Sequence, residues 1–162
     1  MSYTFRVLLD RVPTDDEIEA GMRTPTGVTS FDYEPPSAGM SVPVDEVSSW
    51  TEAFAEGIAE VEELGVRVIG FAHDAEDDPV SEDDLATRFG LSERYVLELA
   101  AHLVGPGGFP PRVKDRHGDP LEYWRWGPVR EWFREHFGDD VADRFDREID
   151  AADRAIKVAL SR

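Results

Sequence analysis

The chain has 162 residues, of which 35 are acidic and 17 basic, for a net charge of −18. This length fits one large domain or two small ones, and no apolar run approaches the roughly 20 residues that span a bilayer. The absence of Cys excludes disulfides and thiolate metal sites.

The opening MSYTFRVLLD has no basic segment ahead of an apolar stretch and a cleavage site, so a soluble, cytoplasmic protein is expected. The charge is uneven. Residues 1–79 hold 18 acidic and 4 basic residues, whereas residues 112–137 hold 6 basic and 5 acidic ones. A positive face is therefore expected only in the second half.

In chain order, Tyr3, Phe5, Val7 and Leu9 alternate with their neighbours as a half-buried strand does. Thr14 with Glu17 three residues on has the spacing of a capping box and predicts a short helix, broken over residues 21–27. Residues 28–33 alternate again. A turn is expected over residues 35–39 and a second strand over 40–44. Ser48 or Ser49 caps a helix with Trp50, Phe54, Ile58 and Val61 on one face, stopped by Gly65. A last strand places Val66, Val68, Gly70 and Ala72 on one face and Ile69 and Phe71 on the other. The order strand, helix, strand, strand, helix, strand predicts a ferredoxin-like α+β domain over residues 1–73, with both helices on one face of an antiparallel sheet. The acidic, Pro-ended stretch 74–79 reads as a linker.

Residues 80–137 form a second domain. Ser81 caps one helix, with Leu85, Ala86 and Phe89 inward, and Gly90 permits a sharp turn. Ser92 caps a second helix, Glu93 to about Leu103, with Val96, Leu99, Ala100 and Leu103 inward. A glycine-rich turn follows, then a β-wing over residues 112–121 turning near His117, Gly118 and Asp119. Tyr123, Trp124 and Trp126 return to the core, and Gly127 and Pro128 open another helix running to Phe137. The Trp spacing suits a core beneath the wing better than a base-stacking surface.

These residues carry a resemblance. Asp84, Leu85, Ala86, Arg88, Gly90, Ser92, Val96, Leu99 and Ala100 are followed by GPGGFP at 105–110. Then come Trp124, Arg125 and Trp126, and last Val129 and Trp132. This run resembles the MerR/excisionase-like winged helix-turn-helix of actinobacterial DNA-binding regulators, over about 55 residues. The resemblance implies a second helix that enters the major groove. It points to Ser92, Arg94, Tyr95 and His102 on that helix, and to Arg112, Lys114, Arg116, Arg125 and Arg130 around the wing, as contacts to double-stranded DNA. Glu93 and Glu98 on the same helix depart from the more basic family pattern, although glutamate can accept from cytosine N4.

The tail, residues 138–162, places Val141, Phe145, Ile149, Ala152, Ile156 and Leu160 at heptad-like spacing on a helix from about 140 to 161. It serves either a homodimer or docking on its own protomer. Dimerisation after the wing is also what the resemblance implies. The four His residues lack metal-ligand spacing, GPGG lacks the Lys-Ser/Thr of a phosphate loop, and no catalytic constellation stands out. No metal, cofactor or enzymatic activity is expected. Two functions follow: a dimeric DNA-binding transcriptional regulator, or an acidic protein-interaction module (antitoxin-like, adaptor or DNA mimic) that meets a basic protein partner.

Overall fold

The structure, a computed structural model, describes residues 1–23, 27–47 and 49–162. The Ser48 alternative for a helix cap and the middle of the break at 21–27 lie outside the described residues. The fold is mixed α+β, and its chain divides into two compact units. A sheet unit comprises Ser2–His73 and Arg147–Arg162, and a helical unit comprises Asp74–Asp146 with Met1.

In the sheet unit, β1 (Ser2–Leu9) pairs antiparallel with β3 (Pro36–Pro43) and with β4 (Val68–Ala72), and β3 pairs with β2 (Val28–Tyr33). The strand order is β2-β3-β1-β4. Helix α1 (Asp15–Arg23) joins β1 to β2, and α2 (Trp50–Glu62) joins β3 to β4. The alternation of β1 is kept: Tyr3, Phe5, Val7 and Leu9 are all buried. They meet an aromatic cluster in which Phe5 lies edge-on to Phe54, at 5.0 Å between ring centres, and Tyr3 edge-on to Trp50 at 4.6 Å. Such edge contacts add to the stabilisation from burial alone.

Three local expectations need correction. The turn between β2 and β3 is confined to Glu34 and Pro35, so residues 36–39 are already strand. The apolar run Ala38, Met40, Val42 wins over the turn propensity of its Pro and Ser. The faces of β4 also differ from simple alternation. Leu9 pairs with Val68 but Leu8 pairs with Gly70, so Ile69 is the extra residue of a β-bulge. The bulge reverses the parity: Val68 and Phe71 both point into the core, while Ile69 is exposed. Finally, the tail is not one element. A short α6 (Asp139–Ala142) precedes α7 (Arg144–Leu160). Phe145 and Ile149 are fully buried within the chain and cannot line a dimer seam.

The helix starts follow the sequence closely. Ser49 accepts the Glu52 N–H at 3.2 Å. Thr14 Oγ1 accepts from Glu17 N while Glu17 Oε1 accepts from Thr14 N, and Glu17 also forms a double hydrogen bond with Arg11 at 2.7 and 2.8 Å. Hydrogen bonding from Arg11, then from the Thr14 amide, lowers the Glu17 carboxyl from 4.5 to about 2. A carboxylate lowered on folding stabilises the fold above its unfolded pKa, and this contribution is lost as pH falls from about 4.5 towards 2. Glu17→Gln is therefore expected to flatten the acid limb of sheet-unit stability in that window. Urea midpoints measured across it by Trp50 emission, after Trp124, Trp126 and Trp132 are replaced by Phe, check this. An unchanged acid limb would contradict the role of Glu17.

In the helical unit, α3 (Glu82–Phe89) and α4 (Glu93–Ala100) are joined at Gly90, and α5 (Trp126–Phe137) covers them. Ser81 and Asp84 form a reciprocal capping box, and Gly90 takes φ +67°, the left-handed conformation that favours glycine. Phe89 stacks on Phe133 with ring centres 3.8 Å apart, and Phe109 lies edge-on to Trp132 at 4.9 Å. Trp124, Trp126 and Trp132 are buried, as their spacing suggests.

The stretch 74–79 is more than a linker. Pro79 and Val80 form β5 and pair with β6 (Trp124–Arg125). The carbonyls of Glu76 and Asp78 accept from Gly127 N and Trp126 N at 2.8 and 2.9 Å, fixing the start of α5. Asp74 forms an ion pair with the buried Arg88. The division of charge changes accordingly. The sheet unit holds 17 acidic and 8 basic residues, the helical unit 18 and 9, so both are acidic.

Candidate nucleic-acid interface

The outer face of α4 begins at Ser92, whose Oγ accepts the Tyr95 N–H at 3.1 Å. Ser92 thus caps the helix. Arg94 is almost fully exposed, and its Nε donates to Glu98 Oε1 at 2.9 Å. This i,i+4 pair neutralises Glu98 and leaves the two terminal nitrogens of Arg94 pointing outward. Tyr95 is half-buried beside it.

α4 is shorter than its apolar spacing predicts. It ends at Ala100, Ala101 is the C-cap, and His102 takes φ +59°. His102 N donates to Leu99 O at 3.2 Å and Leu103 N to Glu98 O at 2.9 Å, the double bond of a Schellman stop. Leu103, expected inside, is therefore carried out into solvent at 74% exposure. His102 leaves the helix face and turns toward the segment after GPGG. That loop is pinned by a hydrogen bond from Trp132 Nε1 to Gly107 O at 3.0 Å.

Beyond it the chain folds back on itself. Val113 N donates to Tyr123 O at 3.0 Å, Leu121 N to Val113 O at 2.7 Å, and Asp115 N to Asp119 O at 2.9 Å. Lys114 bridges to Pro120, and the turn at Gly118 (φ +84°) is held by Asp115. The expected hairpin is present, though its pairing is too sparse to count as regular strand. Lys114 and Arg116 are exposed on it, with Arg116 Nε 3.3 Å from His117 Nε2.

Two clefts share Pro110, Pro111 and Arg112. One, of about 490 Å³, lies between the end of α4 (Leu97, Ala101, His102) and Trp124. The other, of about 270 Å³, is lined also by Val113, Lys114, Arg125 and Pro128. Among the described residues no carboxylate lines either cleft. Arg112 sits 5.0 Å from the centre of the buried Trp124 ring, a cation–π contact that orients its guanidinium. Arg125 is half-exposed, 3.3 Å from Asp77. The structure thus brings His102, Arg112, Lys114 and Arg125 together at one surface.

Arg130 does not join them. Its guanidinium is largely covered and donates to Asp146 Oδ2 at 3.0 Å, so its charge is spent inside the unit. The partner lies 16 residues further along the chain, beyond the reach of local spacing. Sequence reasoning also missed the prolines Pro110 and Pro111 as walls. Their clustering after GPGG was the available signal.

Among the described residues no group of three or more His, Asp or Glu is placed to hold a metal ion, and no helix is long and apolar enough to cross a membrane. No protein-family model matches the chain, nor does any curated protein or solved structure.

Proposed function

We propose that the protein is a DNA-binding regulator in which α3 and α4 form a helix-turn-helix and residues 112–123 its wing. The observation that carries this reading is the gathering of His102, Arg112, Lys114 and Arg125 around two carboxylate-free clefts beside α4. Phosphate neutralisation by Lys and Arg supplies most of a DNA reader's affinity, and here those side chains converge although the unit as a whole is acidic. Arg94, fixed at Nε by Glu98, suits a bidentate contact to guanine O6 and N7. The remaining acidic surface suppresses non-specific binding, so the reading favours a selective protein with weak background affinity. We read the sheet unit as ferredoxin-like, supported by its strand order β2-β3-β1-β4 and its alternation of strands and helices. A homodimer would use the apolar residues that the tail leaves exposed, Leu160 with Val158, because Ala152 and Ile156 face α2.

Selection from sheared genomic DNA at low salt tests the reading. The wild-type chain is expected to enrich a short motif, and Arg94→Ala to lose the motif while keeping weak general retention. No enrichment by the wild type would overturn it and favour an acidic module that meets a basic protein.

A further inference from the structure

The sheet unit holds a cleft that the DNA reading leaves unused. It lies between α2 and the part of α7 that belongs to this unit, and measures about 310 Å³. Its floor is the edge-to-face pair Phe54 and Phe71, ring centres 4.7 Å apart. Its walls combine Ala55 and Ile58 on α2 with Ala151, Ala152, Ala155 and Ile156 on α7. Facing helices with larger residues at these positions would fill the space between them.

Besides the buried Ile149, polar contacts hold α7 here. Asp153 Oδ1 accepts the Phe71 N–H at 2.9 Å, Asp150 Oδ1 lies 2.8 Å from His73 Nε2, and Lys157 Nζ lies 2.6 Å from Asp153 Oδ2. The helix is thus clamped along the β4 edge by side chains outside the cleft, and the apolar interior stays open. The polar groups lining it are Thr51 and the carboxylate of Glu148.

We propose that this cleft binds a small lipophilic amine, with an aromatic or aliphatic body against Phe54 and Phe71 and its ammonium group on Glu148. A concave apolar site with few polar groups is the ordinary form of a small-molecule pocket, and this volume is at its lower end. The sign of the ligand follows from charge. Among the described residues Glu148 is the one charged side chain in the lining, and the unit carries 17 acidic against 8 basic residues. An anion would meet repulsion from both, and a neutral molecule would gain nothing from Glu148. The proposal goes beyond the DNA reading and does not depend on it.

Titration of the ¹⁵N-labelled full chain with phenylbutylamine, and separately with phenylbutanol as its neutral counterpart, tests it. Amide shifts are expected at Thr51, Ala55, Ala151 and Ala155, with the amine bound at least about tenfold more tightly than the alcohol. Glu148→Gln should reduce the amine to the alcohol's level, and Ala152→Phe, which fills the cleft, should abolish both. Absence of shifts at these positions at millimolar amine would overturn the proposal. So would equal binding of the two compounds, or an amine preference that survives Glu148→Gln in a folded variant.

Discussion

Arg88→Ala is expected to cost the helical unit about 3–5 kcal/mol, the usual penalty for removing one partner of a buried ion pair. Arg88 is only 3% exposed and forms an ion pair with Asp74. Its guanidinium lies 3.9 Å from the centre of the Phe145 ring and 4.7 Å from that of Trp126. Alanine removes the cation from both rings, opens a cavity beneath α5 and leaves Asp74 uncompensated. For a unit of this size the loss corresponds to a drop in melting temperature of more than about 12 °C. Tryptophan emission reports it, because Trp124, Trp126 and Trp132 all lie in the helical unit and only Trp50 in the other. The Nε and Nη1 atoms of Arg88 are buried without a hydrogen-bond partner. The double change Arg88→Met with Asp74→Asn, which removes both charges, is therefore expected to recover much of the loss. A single-variant cost below about 1 kcal/mol would show that the pair contributes little to the fold.

The second large effect concerns the clefts beside α4. Changing Arg112, Lys114 and Arg125 together to Gln is expected to weaken binding to a selected DNA site by about 4.5 kcal/mol, roughly two-thousandfold, at about 1.5 kcal/mol per charge-assisted contact. The more diagnostic readout is salt. Each phosphate contact contributes about 0.9 to the slope of log K against log salt, so the slope should fall by about 2.7. Arg130→Gln removes an equal charge from the same unit, but its partner is Asp146. It should leave the salt slope unchanged at temperatures where the variant is folded. Equal effects of Arg130 and the three cleft residues would mean that binding follows overall charge rather than this surface.

Much of this arrangement was legible in the sequence because it is local. The capping boxes at Thr14 and Ser81, the left-handed Gly90 and the burial of alternate residues in β1 each depend on neighbours within a few positions. Local pattern failed where a distant partner or a backbone irregularity decided the outcome. The bulge at Ile69 reverses the faces of β4 without any glycine or proline to announce it. The stop at His102 uses a left-handed residue that is not glycine, so the apolar spacing ran on to Leu103. The tail stripe was visible, but not that Phe145 and Ile149 would be buried within the chain. The candidate interface was half legible: its cations were named from the sequence, while their assembly around Pro110 and Pro111 required the fold.

The division of the chain at His73/Asp74 and again at Asp146/Arg147 bears on how the protein is made. The helical unit is an insertion in the sheet unit's chain, so synthesis begins the sheet unit, completes the other one, and only then returns to the first. At roughly 5–20 residues per second, the 73 residues Asp74–Asp146 take about 4–15 s to translate. Throughout that interval the nascent sheet waits without the Asp153 carboxylate that will cap the Phe71 amide on its edge strand. An unprotected strand edge invites pairing with other chains. Crowding of ribosomes on one message should therefore favour pairing between nascent chains at this edge.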